Sequence, residues 1–320
     1  MISRTTRIVT AVVVGLLALP GLSGCGSARS YGAGDQEIAG GGTTGVYYGY
    51  GVQLAKVLDD ELDLEVSVAE TDGSVENLLK VGAGAAVLGF AQSDAAADAV
   101  AGVGSFESPL PIRAVARLYD EYVHVVVRSD SEAHEIADLT GRRFSLGAAN
   151  SGVMVVAMRV LDAAGVDPMS VRNPQLGVDA SIAAMERGEI EGFFWVGGLP
   201  TPGIEQLAAT VPIRLLSIDA EIVDRVNSRH GGVYRQAEFP AGAYGRDEPT
   251  VAMTVPNYLI THADAPGDLI HDALEVLFEA RRSMALSVPA VALLDRRQAI
   301  FTDPIDLHPG AAQYYSEARR

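Results

Sequence analysis

The sequence has one cysteine, one tryptophan and few aromatic residues, 6% of 320. A lone cysteine excludes a disulfide framework and any cysteine-based zinc or iron–sulfur site. Cations are scarce too: 24 Lys and Arg stand against 41 Asp and Glu, a net charge of −17. A field of that sign disfavours nucleic acid, whose phosphates reward basic patches. It also argues against a peripheral grip on anionic lipid headgroups. Common catalytic motifs are missing. No G-x-S-x-G elbow, H-E-x-x-H pair or P-loop occurs, and His124, His134, His230, His262, His271 and His308 are scattered. A Ser-His-Asp triad would have to be assembled in space alone. No catalytic residue, metal or cofactor is expected.

What is present begins with an address. Arg4 and Arg7 precede an apolar run from Ile8 to Leu19, interrupted only by Thr10 and Gly15. A basic start, a short apolar stretch and small residues after it fit an export signal over residues 1–24. The run is too short to span a bilayer of ~30 Å comfortably. Leu22-Ser23-Gly24-Cys25 then resembles a bacterial lipobox, which implies that Cys25 accepts a lipid anchor on the outer face of the cytoplasmic membrane. Residues 25–36, rich in Gly, Ser and Ala early on, read as a flexible tether.

From Gln36 onward strand-like and helix-like segments alternate, which implies α/β layers with parallel sheets. Strands are expected at Gln36–Ala39, Leu64–Ala69, Val87–Phe90 and Ile112–Leu118. A helix is expected from about Gly45 to Leu58, with another after an N-cap at Ser74. Two long segments match each other: one from Tyr122 to Asp130, the other from Val251 to Asp264. They read as strands that carry the chain into a second lobe and back, or simply as two ordinary strands.

Polar loops stand at the expected strand–helix junctions. Gly40-Gly41-Gly42-Thr43-Thr44-Gly45 satisfies G-x-G-x-x-G, the nominal dinucleotide fingerprint, but Tyr47 and Tyr48 bring bulk where that motif packs closely. The pattern is read instead as a helix N-terminus suited to an anion, or as a plain glycine turn. Gln92-Ser93-Asp94 and Asn150-Ser151-Gly152 repeat the arrangement, and such loops converge on ligands in open α/β sheets. Trp195 follows Phe193 and Phe194 at a fourth strand end, where it lines the cleft or packs in its own lobe.

With these loops assembled, the chain resembles the TAXI family of solute-binding proteins, the extracytoplasmic receptors of tripartite ATP-independent periplasmic (TRAP) transporters. The markers are Gly42 to Tyr48, Gly73-Ser74-Val75-Glu76-Asn77, Gln92-Ser93-Asp94, Arg117-Leu118-Tyr119 with Glu121 and His124, Asp138 to Gly141, Asn150-Ser151-Gly152, Phe193 to Gly198 with Pro200, and Leu307 to Ala311. The resemblance implies a two-lobed type II periplasmic binding protein fold of α/β class, with two crossing strands and a central ligand cleft. Residues 37–124 and 252–320 would form lobe 1, and 125–251 the inserted lobe 2. It implies a small carboxylate ligand (glutamate, a 2-oxo acid or a dicarboxylate) delivered to a TRAP permease. By position, the ligand residues would be Thr43, Thr44, Gly45, Tyr48, Gln92, Ser93, Asp94, Asn150, Ser151, Gly152 and Trp195, with Arg117 a candidate carboxylate partner. Ala86 and Val153 depart from the family pattern, the second removing a donor. A lipoprotein sensor presenting the same cleft to a membrane kinase shares every one of these residues.

Overall fold

The computed structural model describes residues 36–245, 247 and 249–318; the expected signal segment, Cys25 and all of the tether before Gln36 lie outside the described residues. The chain runs β1 (Gln36–Ala39), α1 (Val46–Leu62), β2 (Val66–Ala69), α2 (Ser74–Gly82), β3 (Leu88–Gln92), α3 (Ser93–Ala101) and the long β4 (Ile112–Arg128). It continues through β5 (Phe144–Ser145), α4 (Gly152–Ala163), α5 (Val178–Glu186), β6 (Gly192–Gly197) and α6 (Pro202–Thr210). Next come β7 (Ile213–Leu215), α7 (Ala220–Arg229) and β8 (Arg235–Phe239), before β9 (Thr250–His262), α8 (Gly267–Met284) and α9 (Pro309–Glu317). Among the described residues no helix is long and apolar enough to cross a membrane.

The strands form one sheet in the order β2-β1-β3-β9-β4-β6-β5, with β7 paired to β4 and β8 to β9. The expected parallel pairing holds for β1 with β2 and β3, and for β5 with β6. The centre differs, because β4 and β9 run antiparallel to each other from Ile112↔His262 to Val123↔Met253. A strand that leaves one lobe and a strand that returns to it must run in opposite directions. The segments read separately as Ile112–Leu118 and as a strand from Tyr122 are one strand. Its pairing slips between Ala114 and Ala116 and again between Arg117 and Tyr119, and the polar residues there mask its continuity.

Each lobe has its own apolar core. Lobe 1 is centred on Leu78, Ala95, Ile112 and Ile260. Lobe 2 packs Phe144, Val160 and Phe194 on one sheet face and Met185, Phe193 and Ile204 on the other. Phe193 and Phe194 divide between the faces as the two-residue strand period requires. Val123 on β4 and Met253 and Val255 on β9 pack into the lobe 2 core.

Local chemistry explains the helix starts around the cleft. In α1, Val46, Tyr50, Leu54 and Leu58 bury one stripe at four-residue spacing. Helix α2 is capped by Gly73 at φ 117°, a region glycine enters freely, so Ser74 is the first helical residue rather than the cap. The Ser74 hydroxyl instead accepts from the Gln92 amide at 3.1 Å, tying α2 to the end of β3. Ser151 does cap α4, accepting from the Met154 amide at 3.0 Å.

Candidate functional site

A cavity of about 240 Å³ lies between the lobes, and four helices begin at its wall. From lobe 1 come the starts of α1 (Gly45, Val46, Tyr47) and α2 (Gly73, Ser74); from lobe 2 come those of α4 (Ser151, Gly152, Val153) and α5 (Gly177, Val178, Asp179). First-turn N–H groups lack intrahelical partners, and the helix dipole gives each start positive character. Trp195, Phe194 and Val196 supply apolar wall, while Gln92 and Glu121 line it beside Tyr47 and Ser74. Among the described residues no Lys, Arg or His lines this cavity.

The lobes meet around the cavity through residues that the sequence had assigned to ligand. The Thr43 amide and hydroxyl donate to Asp179 Oδ2 at 3.0 and 3.2 Å, and the Thr44 hydroxyl donates to Asp179 Oδ1. A Cβ on Gly45 would stand 3.3 Å from Trp195 Cη2 and 3.1 Å from the Gly42 carbonyl oxygen. A Cβ on Gly152 would collide with Gln92 Oε1 at 2.2 Å and Ser74 Oγ at 2.8 Å. The Glu76 amide donates to the Asn150 carbonyl at 3.0 Å. Away from the cavity, Arg159 on α4 donates to Asp94 at 2.7 Å and Asp98 at 2.5 Å on α3, and Tyr234 donates to Asp94 at 2.5 Å.

At the floor, Glu121 on the crossing strand is fully buried. Tyr47 donates to its Oε2 at 2.9 Å, and Asn257 donates to the Tyr47 oxygen at 2.7 Å. Burial pushes the Glu121 carboxyl up to about 8, against the hydrogen bonds from Tyr47 and Gln92. It is therefore mostly protonated near neutral pH. The Gln92 Oε1 atom is buried with no hydrogen-bond partner, packed against Gly152 of the opposite lobe. Trp195 is held by its own lobe: its Nε1–H donates to Thr201 Oγ1 at 3.0 Å, and the Thr201 amide donates to the Tyr244 hydroxyl at 3.1 Å. That hydroxyl meets buried His124 Nε2 at 2.8 Å, and burial lowers the His124 pKa to about 4.

Gly45, Gln92, Ser151, Gly152 and Trp195 thus line the cavity, whereas the other expected residues do not. Thr43 and Thr44 are occupied by Asp179 across the mouth. Tyr48 turns away from the wall that Tyr47 forms, since adjacent helical residues point about 100° apart. Ser93 is buried, Asp94 belongs to the Arg159 contact, and Asn150 is exposed with its carbonyl bonded to lobe 1. Ser151 lines the cavity, and its hydroxyl donates to the Ala148 carbonyl at 2.7 Å while capping α4. Arg117 pairs with Asp120 at 2.6 Å outside the cavity. The sequence reading missed Tyr47, Glu121 and Asp179 as site residues. Tyr47 and Glu121 stand among the resemblance markers, but nothing near Asp179 signals its reach to Thr43.

Two lobes on crossing strands around such a cleft are the type II periplasmic binding protein fold. The chain belongs to the NMT1-like family, matched over residues 38–318. Its fold is similar to that of a solved periplasmic transporter (15% identity, TM-score 0.54, covering 91% of this chain and 94% of that one). It is also similar to PhnD1 of Prochlorococcus marinus in complex with methylphosphonate (12% identity, TM-score 0.53, covering 89% and 96%).

Proposed function

We infer that the protein is the extracytoplasmic solute-binding receptor of a membrane transporter, taking a small organic acid between its lobes and handing it to a permease. The observation that carries this reading is the convergence of four helix starts, two from each lobe, on one small cavity. A carboxylate there meets N–H donors from both lobes, so binding it favours closure. Each hydrogen bond to a charged acceptor contributes ~1.5–3 kcal/mol, which a few donors turn into useful affinity without any cationic side chain.

Four acidic residues line the cavity, Glu70, Asp72, Glu121 and Asp179, and their acceptor oxygens suit an acid that also carries a hydrogen-bond donor. Glu121 is held largely neutral, and Asp179 accepts from Thr43 and Thr44. The unpartnered Gln92 Oε1, covered by Gly152 while the lobes are together, gains a partner if the ligand brings a donor between them, so an acid that also carries an amino or hydroxyl group fits better than a bare dicarboxylate. Glutamate is such an acid. Delivery to a TRAP-type permease and anchoring through Cys25 follow from the TAXI resemblance and the lipobox.

The experiment is calorimetry with glutamate, 2-oxoglutarate and succinate. Tightest binding by the amino acid supports the reading. Tighter binding of succinate than glutamate removes the donor requirement, and binding of none of the three removes this acid class.

A further inference from the structure

The last turn of α8 carries Arg281 and Arg282, and the stretch before α9 carries Arg296 and Arg297. All four arginines line one open depression of about 840 Å³ with Phe278, Ile300 and Tyr315. Two are fixed in place: Arg296 lies over the Phe278 and Tyr314 rings, 5.0 and 5.6 Å from their centroids, and Arg281 donates to the Leu294 carbonyl. Arg282 and Arg297 are exposed. Glu279 and Asp295 line the same depression, so cations outnumber acids there by four to two, in a chain of net charge −17.

The same segment exposes unusual apolar bulk. Among the described residues, Leu286 is 88% exposed, Leu293 58% and Phe301 54%. Leu286 follows Arg282 closely, Leu293 precedes the Leu294 carbonyl held by Arg281, and Phe301 adjoins Ile300 on the depression wall. Arginines interleaved with bare leucine and phenylalanine match an anionic bilayer surface, where guanidinium groups meet phosphates and apolar side chains enter the acyl boundary.

We propose that this arginine-rich face of lobe 1 docks on anionic phospholipid. The overall acid excess does not forbid it, because charges farther than ~8 Å are screened at physiological salt and the local sign is inverted. The interaction is independent of which solute the cleft takes.

The test is hydrogen exchange on the full chain mixed with phosphatidylcholine vesicles with and without phosphatidylglycerol. Reading exchange segment by segment separates this face from attachment by the N-terminal segment, whose Arg4 and Arg7 also favour anionic lipid. Residues 278–301 are expected to gain protection only with phosphatidylglycerol and to lose it at high salt. The Arg282→Gln/Arg297→Gln variant, which leaves the Arg281 and Arg296 contacts intact, should weaken this binding about fivefold per arginine removed. Equal exchange on both vesicles, or unchanged protection in the variant, overturns the proposal. Protection that appears only when a membrane protein is added assigns the face to a protein partner and likewise overturns it.

Discussion

Arg159 reaches from the second half of α4 in lobe 2 to Asp94 in lobe 1, 2.7 Å away, while its second nitrogen holds Asp98. None of the three lines the cavity. The ion pair therefore links the lobes without touching the space where a solute would lie, and its strength enters the closing equilibrium directly. Removing one partner of a buried pair is costly because the other charge is left without compensation. In this fold the penalty is relieved by opening, which returns Asp94 to water.

The Arg159→Gln variant should accordingly bind ligand about tenfold more weakly, equivalent to ~1.4 kcal/mol. Its radius of gyration by X-ray scattering should rise while its melting temperature changes little, since each lobe keeps its own core. A large drop in melting temperature with unchanged affinity would assign the pair to fold support instead.

Gly45 faces the Trp195 ring across the cleft, with 3.3 Å between a notional Cβ and Cη2. Its φ of −87° is open to any residue, so the constraint is closeness of approach and not backbone conformation. Gly45→Val should still fold, at a stability cost of about 1 kcal/mol from its N-cap position and the close Gly42 oxygen, yet lose most ligand affinity, and the ligand-induced shift in Trp195 emission should vanish. Normal binding by this variant would show that the lobes do not close on Gly45.

Ser151 offers a contrast. Both capacities of its hydroxyl are occupied inside lobe 2, capping α4 and bonding Ala148. Ser151→Ala is expected to cost about 1 kcal/mol of stability through the lost cap. Ligand affinity should change less than in Gly45→Val. A loss of affinity with no loss of stability would restore the hydroxyl as a ligand donor.

The Glu121 carboxyl gives a pH dependence with a defined sign. Its folded pKa, about 8, lies above the ordinary glutamate value of 4.5, so its contribution is fully present below the lower value and is lost as pH rises through about 8. The stability of the wild type relative to Glu121→Gln should therefore decline between pH 4.5 and 8. Parallel stability curves for the two proteins across that window would place the Glu121 proton elsewhere.

The layers and the cleft were legible in the sequence because alternating segments and polar loops at strand ends are local signals. Gly45 and Gly152 were legible for the same reason, as small residues at helix starts. Thr43, Thr44 and Asp94 were assigned to ligand because a polar side chain at a strand–helix junction looks the same whether it meets a solute or the opposite lobe. Only the fold brings Asp179 and Arg159 to them, across more than sixty positions of chain in each case. Glu121 was hidden differently: it follows Asp120 in a polar stretch of β4 that reads as solvent-facing until the crossing strands bury it.

The central claim is that the cavity between the lobes takes a small acid bearing a hydrogen-bond donor. Mass spectrometry of the small molecule that co-purifies with the wild type but not with Gly45→Val tests it most directly. The account predicts a compact carboxylic acid with an amino or hydroxyl group, lost in the variant. A cation, a sugar or a carboxylate without any donor group in that position would contradict it.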